Sequence, residues 1–333
     1  MAAKKLLETK GAGKPLPKTP DCTLKGVIAM NTILPEELLK NKIEYRERLE
    51  DFISRRKTLR EYGRCLNLLA LDDKLPKAFG REKEILEISK ILLRRNKPNP
   101  LLVGEAGVGK TAVVEQLARH MTEDFIEKIT RGEDTPYPTI IIDLPLGSIV
   151  AGTKYRGDFE ERFQNVINEV MSASNGKIVL FIDEIHSILT CGTASNEGLS
   201  AGNILKPVIA RGDVAIIGAT TTDEVSFIRQ DKALMRRFSL VTVNEIVGDR
   251  AVTCLKNIIE DYENYFNILL DADVNEEELY ELVKNVSSER VFPDNIIDVI
   301  DESMAAAKYD GRDIVTMKDL KETLSRQTGM LII

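Results

Sequence analysis

Apolar and polar positions alternate in three different ways along the chain. From Pro35 to about Leu71 the segment is heavily charged, and Leu38, Leu39, Ile43, Leu49, Phe52 and Ile53 recur at helical spacing. That pattern predicts one long amphipathic helix or two. Glu36 and Glu37 suit the start of such a helix, where acidic side chains meet the positive end of the macrodipole. Two roles fit it: a solvated helix docked on the next domain, or an arm for a partner or for oligomerisation. After Pro76 the pattern changes to continuous apolar runs of strand length, "NPLLVG", "TIIIDL", "KIVLFID" and "VAIIGAT". Runs of this kind belong to parallel strands buried on both faces. Between them, "TAVVEQLARHM" and "FEERFQNVINEVM" have helical periodicity, so an α/β fold with a parallel sheet sandwiched by helices is expected. From about Asn244 only helical patterns remain, in "RAVTCLKNIIEDYENYF", "NEEELYELVKNV", "PDNIIDVIDESMAAAKYD" and "TMKDLKETLSR". These four segments predict a small all-α domain.

The resulting division is a flexible tail at residues 1–25, a helical extension at 26–75, a large α/β domain at 76–243 and a helical domain at 244–333. The tail is rich in Lys, Pro and Gly ("TKGAGKPLPKTPDCT"), a composition that favours flexibility. Its lysines, Lys4, Lys5, Lys10, Lys14 and Lys18, read as a solvated arm.

Composition narrows the class. At 333 residues, with 43% hydrophobic and 30% charged, the chain suits a soluble protein with substantial cores. A net charge of -7 argues against a broad nucleic-acid or anionic-membrane surface. The four cysteines form no CxxC pair and there are only two histidines, which disfavours a metal cluster and suits reduced thiols in the cytoplasm. No apolar run approaches membrane-spanning length, and the N-terminus has no signal-type apolar core.

The chemistry sits on the strands. "GEAGVGKT" (Gly104, Glu105, Ala106, Gly107, Val108, Gly109, Lys110, Thr111) lies between a strand and a helix, the context a phosphate-binding loop requires. Its glycines let backbone N–H groups cradle phosphate oxygens at a helix N-terminus. Lys110 can reach the β- and γ-phosphates of ATP, and the Thr111 hydroxyl can ligate Mg²⁺. "KIVLFIDEIH" delivers Asp183 and Glu184 to the carboxyl edge of a buried strand, where open parallel sheets bind ligands. Asp183 would hold the Mg²⁺, directly or through water, and Glu184 would act as general base on the attacking water. "VAIIGATT" ends in Thr220 and Thr221, whose hydroxyls could bond the γ-phosphate or that water. Arg236 and Arg237 close a helical stretch far along the chain from the loop, as an arginine supplied to a neighbouring subunit would.

Together these segments resemble the first ATPase ring of Clp-type AAA+ unfoldases of the ClpA/ClpB kind. The resemblance covers about Phe79 to Ala305 and includes "GREKEI", "NPLLVGEAGVGKTA", "GTKYRGDFEERF", "VLFIDEIH", "AGNILKPVIARGD", "GATTTDE", "ALMRRF" and "PDNIIDVIDE". It implies an AAA+ P-loop NTPase with a helical lid. Lys110 and Thr111 would be its Walker A pair, and Asp183 and Glu184 its Walker B pair. Thr220 or Thr221 would be sensor 1, and Arg236 and Arg237 trans-acting fingers. Phe79 and Gly80 would lie beside the adenine, where the family usually has an aliphatic residue before the Gly. Arg290, Pro293 and Asp294 would lie in the lid near the nucleotide. "KYRG" (Lys154, Tyr155, Arg156, Gly157) resembles the loop that grips polypeptide in the central channel of such rings, and "CGTASNEGLSAGN" a secondary pore loop. The implied assembly is a hexameric homo-oligomer acting on a protein substrate or one dedicated partner. The family's folded N-terminal substrate domain, second ATPase domain and peptidase-docking loop have no counterpart among these motifs. Two other classes stay open at this point: a motor acting on nucleic acid, which "DEIH" also suits as a helicase-like string, and an ATP-dependent assembly scaffold.

Overall fold

The computed structural model of the protein describes residues 35–133, 139–152, 156–173, 178–190, 201–287 and 290–332. The chain begins with α1 (Pro35–Ser54) and α2 (Lys57–Tyr62), a two-residue β1 (Arg64–Cys65) and α3 (Leu66–Leu71). There follow α4 (Glu82–Leu92), β2 (Asn99–Val103), α5 (Lys110–Thr130), β3 (Ile140–Asp143), α6 (Leu146–Val150) and α7 (Arg156–Met171). Next come β4 (Ile178–Ile182), α8 (Ile185–Thr190), α9 (Ala201–Arg211), β5 (Ala215–Thr220), α10 (Val225–Gln230), α11 (Lys232–Met235) and β6 (Phe238–Thr242). The last part holds α12 (Asp249–Phe266), β7 (Leu269–Leu270), α13 (Glu276–Val286), α14 (Asp294–Tyr309), β8 (Ile314–Val315) and α15 (Met317–Thr328).

The main sheet runs β1-β3-β4-β5-β2-β6, parallel throughout except for β1, which pairs antiparallel with β3 at the edge. Strands β2 to β5 are buried at every position, which is why each reads as an unbroken apolar run. Alternate residues feed two cores. Leu101, Ile142, Leu180 and Ile216 point to one face with Phe163 and Leu205, while Leu102, Ile141, Val179 and Ile217 point to the other with Ile88, Val113 and Leu117.

The 26–75 extension is not a separate body in the described residues. Tyr45, Leu49, Phe52, Ile53 and Leu59 are part of the first of those cores, and the Tyr45 ring centroid lies 4.7 Å from that of Phe125. Glu169 of α7 accepts from the backbone N–H groups of Thr58 and Leu59 at 2.9 and 2.8 Å, capping the start of α2. The buried Asn67 accepts from Ile141 N at 2.8 Å. Composition changes at Pro76, but the core does not, because the second half of α1 turns its apolar stripe onto α5. The first half of the predicted stripe faces outward: Leu39 is 60% exposed and Ile43 half exposed.

Helices α12 to α15 enclose a third core around Leu255, Leu279, Ile296, Val299, Ile300 and Leu324. The all-helical expectation for this domain needs one correction: β7 and β8 form a parallel pairing, Leu269 with Ile314 and Leu270 with Val315. Each strand is two residues long, too short to leave a period-two pattern in the sequence.

Tyr45 is 0% exposed. Its truncation, Tyr45→Ala, should cost about 3–5 kcal/mol, the range for large aromatic-to-alanine changes in a core. Leu39→Ala on the same helix should stay within about 0.5 kcal/mol. Denaturant midpoints of the two variants check the contrast.

Candidate active site

Strand β2 ends at Val103 and runs into the loop Gly104–Gly109, which opens α5 at Lys110. Gly107 and Gly109 have φ of 82° and 90°, values that side-chain-bearing residues avoid. Lys110 is 7% exposed, and its Nζ donates to the carbonyls of Gly104 and Glu105, both at 2.9 Å. Those bonds fold the lysine back over its own loop. The Thr111 hydroxyl donates to Asp183 Oδ2 at 2.6 Å. A hydroxyl and a carboxylate side by side at the mouth of a glycine-turned loop are hard oxygen donors, the set that Mg²⁺ takes. The cradle therefore fits a nucleotide phosphate with its magnesium.

Sheet register brings the other groups to this edge. Val103 pairs with Thr220 and Ile182 with Gly218, so the ends of β2, β4 and β5 lie in line. Glu184 follows Asp183 with φ of 48°, a left-handed conformation rare for a residue with a side chain. Its carboxylate is 53% exposed and lies 3.3 Å from His186 Nδ1. Burial, then the neighbouring Glu224 and Asp183 charges, push the Glu184 carboxyl above its ordinary range. Thr220 is fully buried with Oγ1 3.2 Å from His186 Nδ1. The Thr221 hydroxyl donates to Glu224 Oε2 at 2.7 Å, and Thr222 donates to Glu105 of the loop. Burial would raise the Glu224 carboxyl, but the Thr221 hydroxyl and His186 hold it below its ordinary value.

His186 and Glu224 received no role from sequence reasoning. Glu184, His186 and Glu224 place one ligand atom each within 4.8 Å of the others. The available signals were the His two positions after Glu184 in "DEIH" and the Thr-x-x-Glu spacing of "TTDE".

The lid reaches the loop through α14. A Cβ on Gly107 would meet Asp294 Cβ at 2.9 Å, so Asp294, just after Pro293, rests directly on the phosphate loop. Burial and then Asp298 raise the Asp294 carboxyl, against the pull of Arg290, which pairs with Asp298. Phe79 packs on the lid core, and Gly80 O accepts from Arg250 at 3.0 Å. Arg81, 4% exposed, donates to Val108 O of the loop at 2.5 Å and to Asn244 O at 2.7 Å, with Glu84 at 3.2 Å.

Arg236 and Arg237 are exposed and lie just before β6. Asn99, the first residue of β2, donates to Arg237 O at 3.1 Å, so this pair sits at the opposite edge of the sheet. Five residues of strand separate it from Gly104, about 16 Å at the usual rise. Lys154 and Tyr155 lie outside the described residues, as does 191–200 of the secondary segment; Arg156 opens α7, and Gly157 is exposed in its first turn.

Comparison with known proteins agrees with this geometry. Residues 100–245 match the model for the "ATPase family associated with various cellular activities (AAA)", and residues 248–330 match an AAA lid domain. The chain belongs to the AAA ATPase family. It is homologous to the first ATPase domain of the ClpB and ClpC proteins. It is 39% identical over 258 residues to chaperone protein ClpB 1 of Nostoc sp., covering 77% of this chain and 28% of that protein. It is 40% identical over 266 residues to the negative regulator of genetic competence ClpC/MecB of Bacillus subtilis, covering 80% and 31%. The chain thus spans under a third of the length of these relatives. Among solved structures, the S. cerevisiae Hsp104–ADP complex matches with a TM-score of 0.68 at 35% identity, over 82% of this chain and 46% of that one. An Hsp104–casein complex in an extended conformation gives 0.67 at 35%, over 82% and 45%. No helix among the described residues is long and apolar enough to cross a membrane.

Gly107→Ala combines a left-handed backbone, costing an L-residue about 1–2 kcal/mol, with the Asp294 contact. Nucleotide affinity should fall at least tenfold, about 1.4 kcal/mol, as read by titration with a fluorescent ATP analogue.

Proposed function

We propose that this AAA ATPase hydrolyses ATP between adjacent copies in a cytoplasmic hexameric ring and uses the cycle to remodel protein substrates by threading them through a central pore. The observation that carries this reading is the split of the site. Lys110, Thr111, Asp183, Glu184 and Thr221 meet at one edge of the sheet, while Arg236 and Arg237 stand exposed about 16 Å away at the other. An arginine so placed cannot serve its own loop, but in a head-to-tail ring it faces the next subunit's loop.

Lys110 would leave the loop carbonyls for the phosphates. Thr111 and Asp183 would hold the Mg²⁺, which supplies charge neutralisation at the phosphoryl oxygens. Glu184 would take a proton from the attacking water, and the Thr221 hydroxyl would orient that water or a phosphate oxygen. Arg236 and Arg237 of the neighbour would offset charge on the transferred group. Phe79 and Gly80 would border the adenine, with Pro293 and Asp294 closing from the lid. Tyr155, between Lys154 and Arg156 and before Gly157, would meet substrate by apolar and backbone contact. The Hsp104 and Clp likeness supports a protein substrate, and so does the acidic balance of the chain.

Glu184→Gln should lower ATP turnover at least a hundredfold, in line with the loss of a general base, while nucleotide still binds. Mixing that variant with Arg236→Ala/Arg237→Ala subunits should restore part of the turnover, since some pockets then draw an intact base from one copy and arginines from the next. No recovery on mixing would rule out the shared site. Tyr155→Ala should abolish stimulation of turnover by an unfolded protein. Because the Glu184 carboxyl is raised and works deprotonated, turnover should fall on acidification at a pH above the ordinary glutamate range. A rate held flat down to that range would show that the raised value does not persist with nucleotide and Mg²⁺ bound.

A further inference from the structure

Glu184 after β4, His186 in the first turn of α8 and Glu224 before α10 are, among the described residues, a set of metal-ligating side chains whose ligand atoms converge. Glu184 Oε2 lies 3.3 Å and Glu224 Oε2 3.2 Å from His186 Nδ1. Zn²⁺ bonds imidazole nitrogen and carboxylate oxygen at about 2.0–2.2 Å, so neighbouring ligands of its tetrahedral sites stand about 3.3–3.5 Å apart. Both measured separations come close to that edge before any side chain moves. An octahedral Mg²⁺ site would need about 2.9 Å, and Ca²⁺ takes oxygen ligands rather than an imidazole. Thr220 Oγ1 also lies 3.2 Å from Nδ1. With the imidazole proton on Nε2, that hydroxyl donates to the Nδ1 lone pair, and both carboxylates face a nitrogen that offers them no hydrogen. Two ionised carboxylates and a lone pair around one point attract a divalent cation, which has only one neutral hydrogen bond to displace. The Thr221 hydroxyl, 2.7 Å from Glu224 Oε2, is the kind of outer donor that orients a ligating carboxylate. All three ligand side chains keep part of their surface in solvent, which gives an ion a way in.

We propose that Glu184, His186 and Glu224 form an inhibitory site for a tetrahedral divalent ion, Zn²⁺ by ligand set and spacing, with water in the fourth position. Its ligands are distinct from the Thr111 hydroxyl and Asp183 Oδ2 that would hold the nucleotide's Mg²⁺. Binding needs no proton transfer, since both carboxylates are ionised and Nδ1 contributes a lone pair. The ion takes up Glu184 as a ligand, so the carboxylate is no longer available to the attacking water. Turnover then stops while nucleotide and Mg²⁺ stay bound. The site stands on its geometry alone, whereas the inhibition rests on Glu184 being the base.

Co²⁺ is the probe, because its tetrahedral complexes absorb strongly in the visible, its octahedral ones weakly, and thiolate ligation adds a near-ultraviolet band. The full chain in saturating Mg²⁺–ADP is titrated with Co²⁺, and Zn²⁺ is then added in competition. The expected result is a single tetrahedral Co²⁺ per chain, without the thiolate band and displaced by Zn²⁺. Glu184→Gln, His186→Ala and Glu224→Gln should each weaken it about tenfold or more, while Thr111→Val at the Mg²⁺ position should change it within about twofold. In excess Mg²⁺–ATP, Zn²⁺ should lower wild-type turnover about tenfold or more, one order in rate, over the range in which it displaces Co²⁺, and a chelator should restore it. Weak octahedral absorption, a thiolate band or undiminished affinity in Glu224→Gln would mean an adventitious ion only and would overturn the site. A loss in Thr111→Val equal to that in Glu224→Gln would overturn it too, by placing the probe at the Mg²⁺ position. If His186→Ala does not melt cooperatively, the near-isosteric Glu184→Gln and Glu224→Gln decide. Zn²⁺ bound at the three residues with turnover intact would overturn the inhibition. Wild-type turnover by Glu184→Gln would instead refute the base assignment beneath the inhibition, and the cobalt spectrum would still decide the site.

Discussion

The register of three parallel strands is the constraint on which the rest depends. Val103 opposite Thr220 and Ile182 opposite Gly218 place the loop after β2, the acidic pair after β4 and the threonines after β5 along one line. Both faces of each strand are buried, so a slip by one residue would send every side chain to the wrong core. Packing of apolar side chains thus sets the position of charged ones. The Thr111–Asp183 hydrogen bond, joining residues 72 apart in sequence, exists only because that register holds.

What could be read from the sequence follows from the range of the signal. The phosphate loop, the acidic pair and the buried strands are local patterns, each written in under ten consecutive residues, and the fold has them where those patterns put them. His186 and Glu224 are different. Neither belongs to a motif with a chemical reading of its own, and they meet only because α8 and the β5–α10 turn are neighbours in space. The extension was harder still. Tyr45 of α1 and Leu59 of α2 stand among charged residues, and nothing local says that they finish the core beneath α5. The β7–β8 pairing joins strands more than forty residues apart through two residues each.

Electrostatics around the site are uneven. Glu115, Asp143 and Asp183 gather near the loop; burial raises the first two carboxyls, and Arg64 pulls both back. Arg64 comes from β1 and pairs with the buried Asp143. The edge strand given by the extension therefore carries a counter-charge to the acidic side of the pocket as well as a backbone pairing.

Arg81 gives the two domains a mechanical relation. A guanidinium is a flat, stiff fork, and here its prongs hold Val108 O in the phosphate loop and Asn244 O where the chain leaves β6 for the lid. Stretching either contact would leave a nearly solvent-free cation short of an acceptor. A shift of the loop would therefore strain the contact at Asn244, the point at which the chain passes from the sheet to the lid.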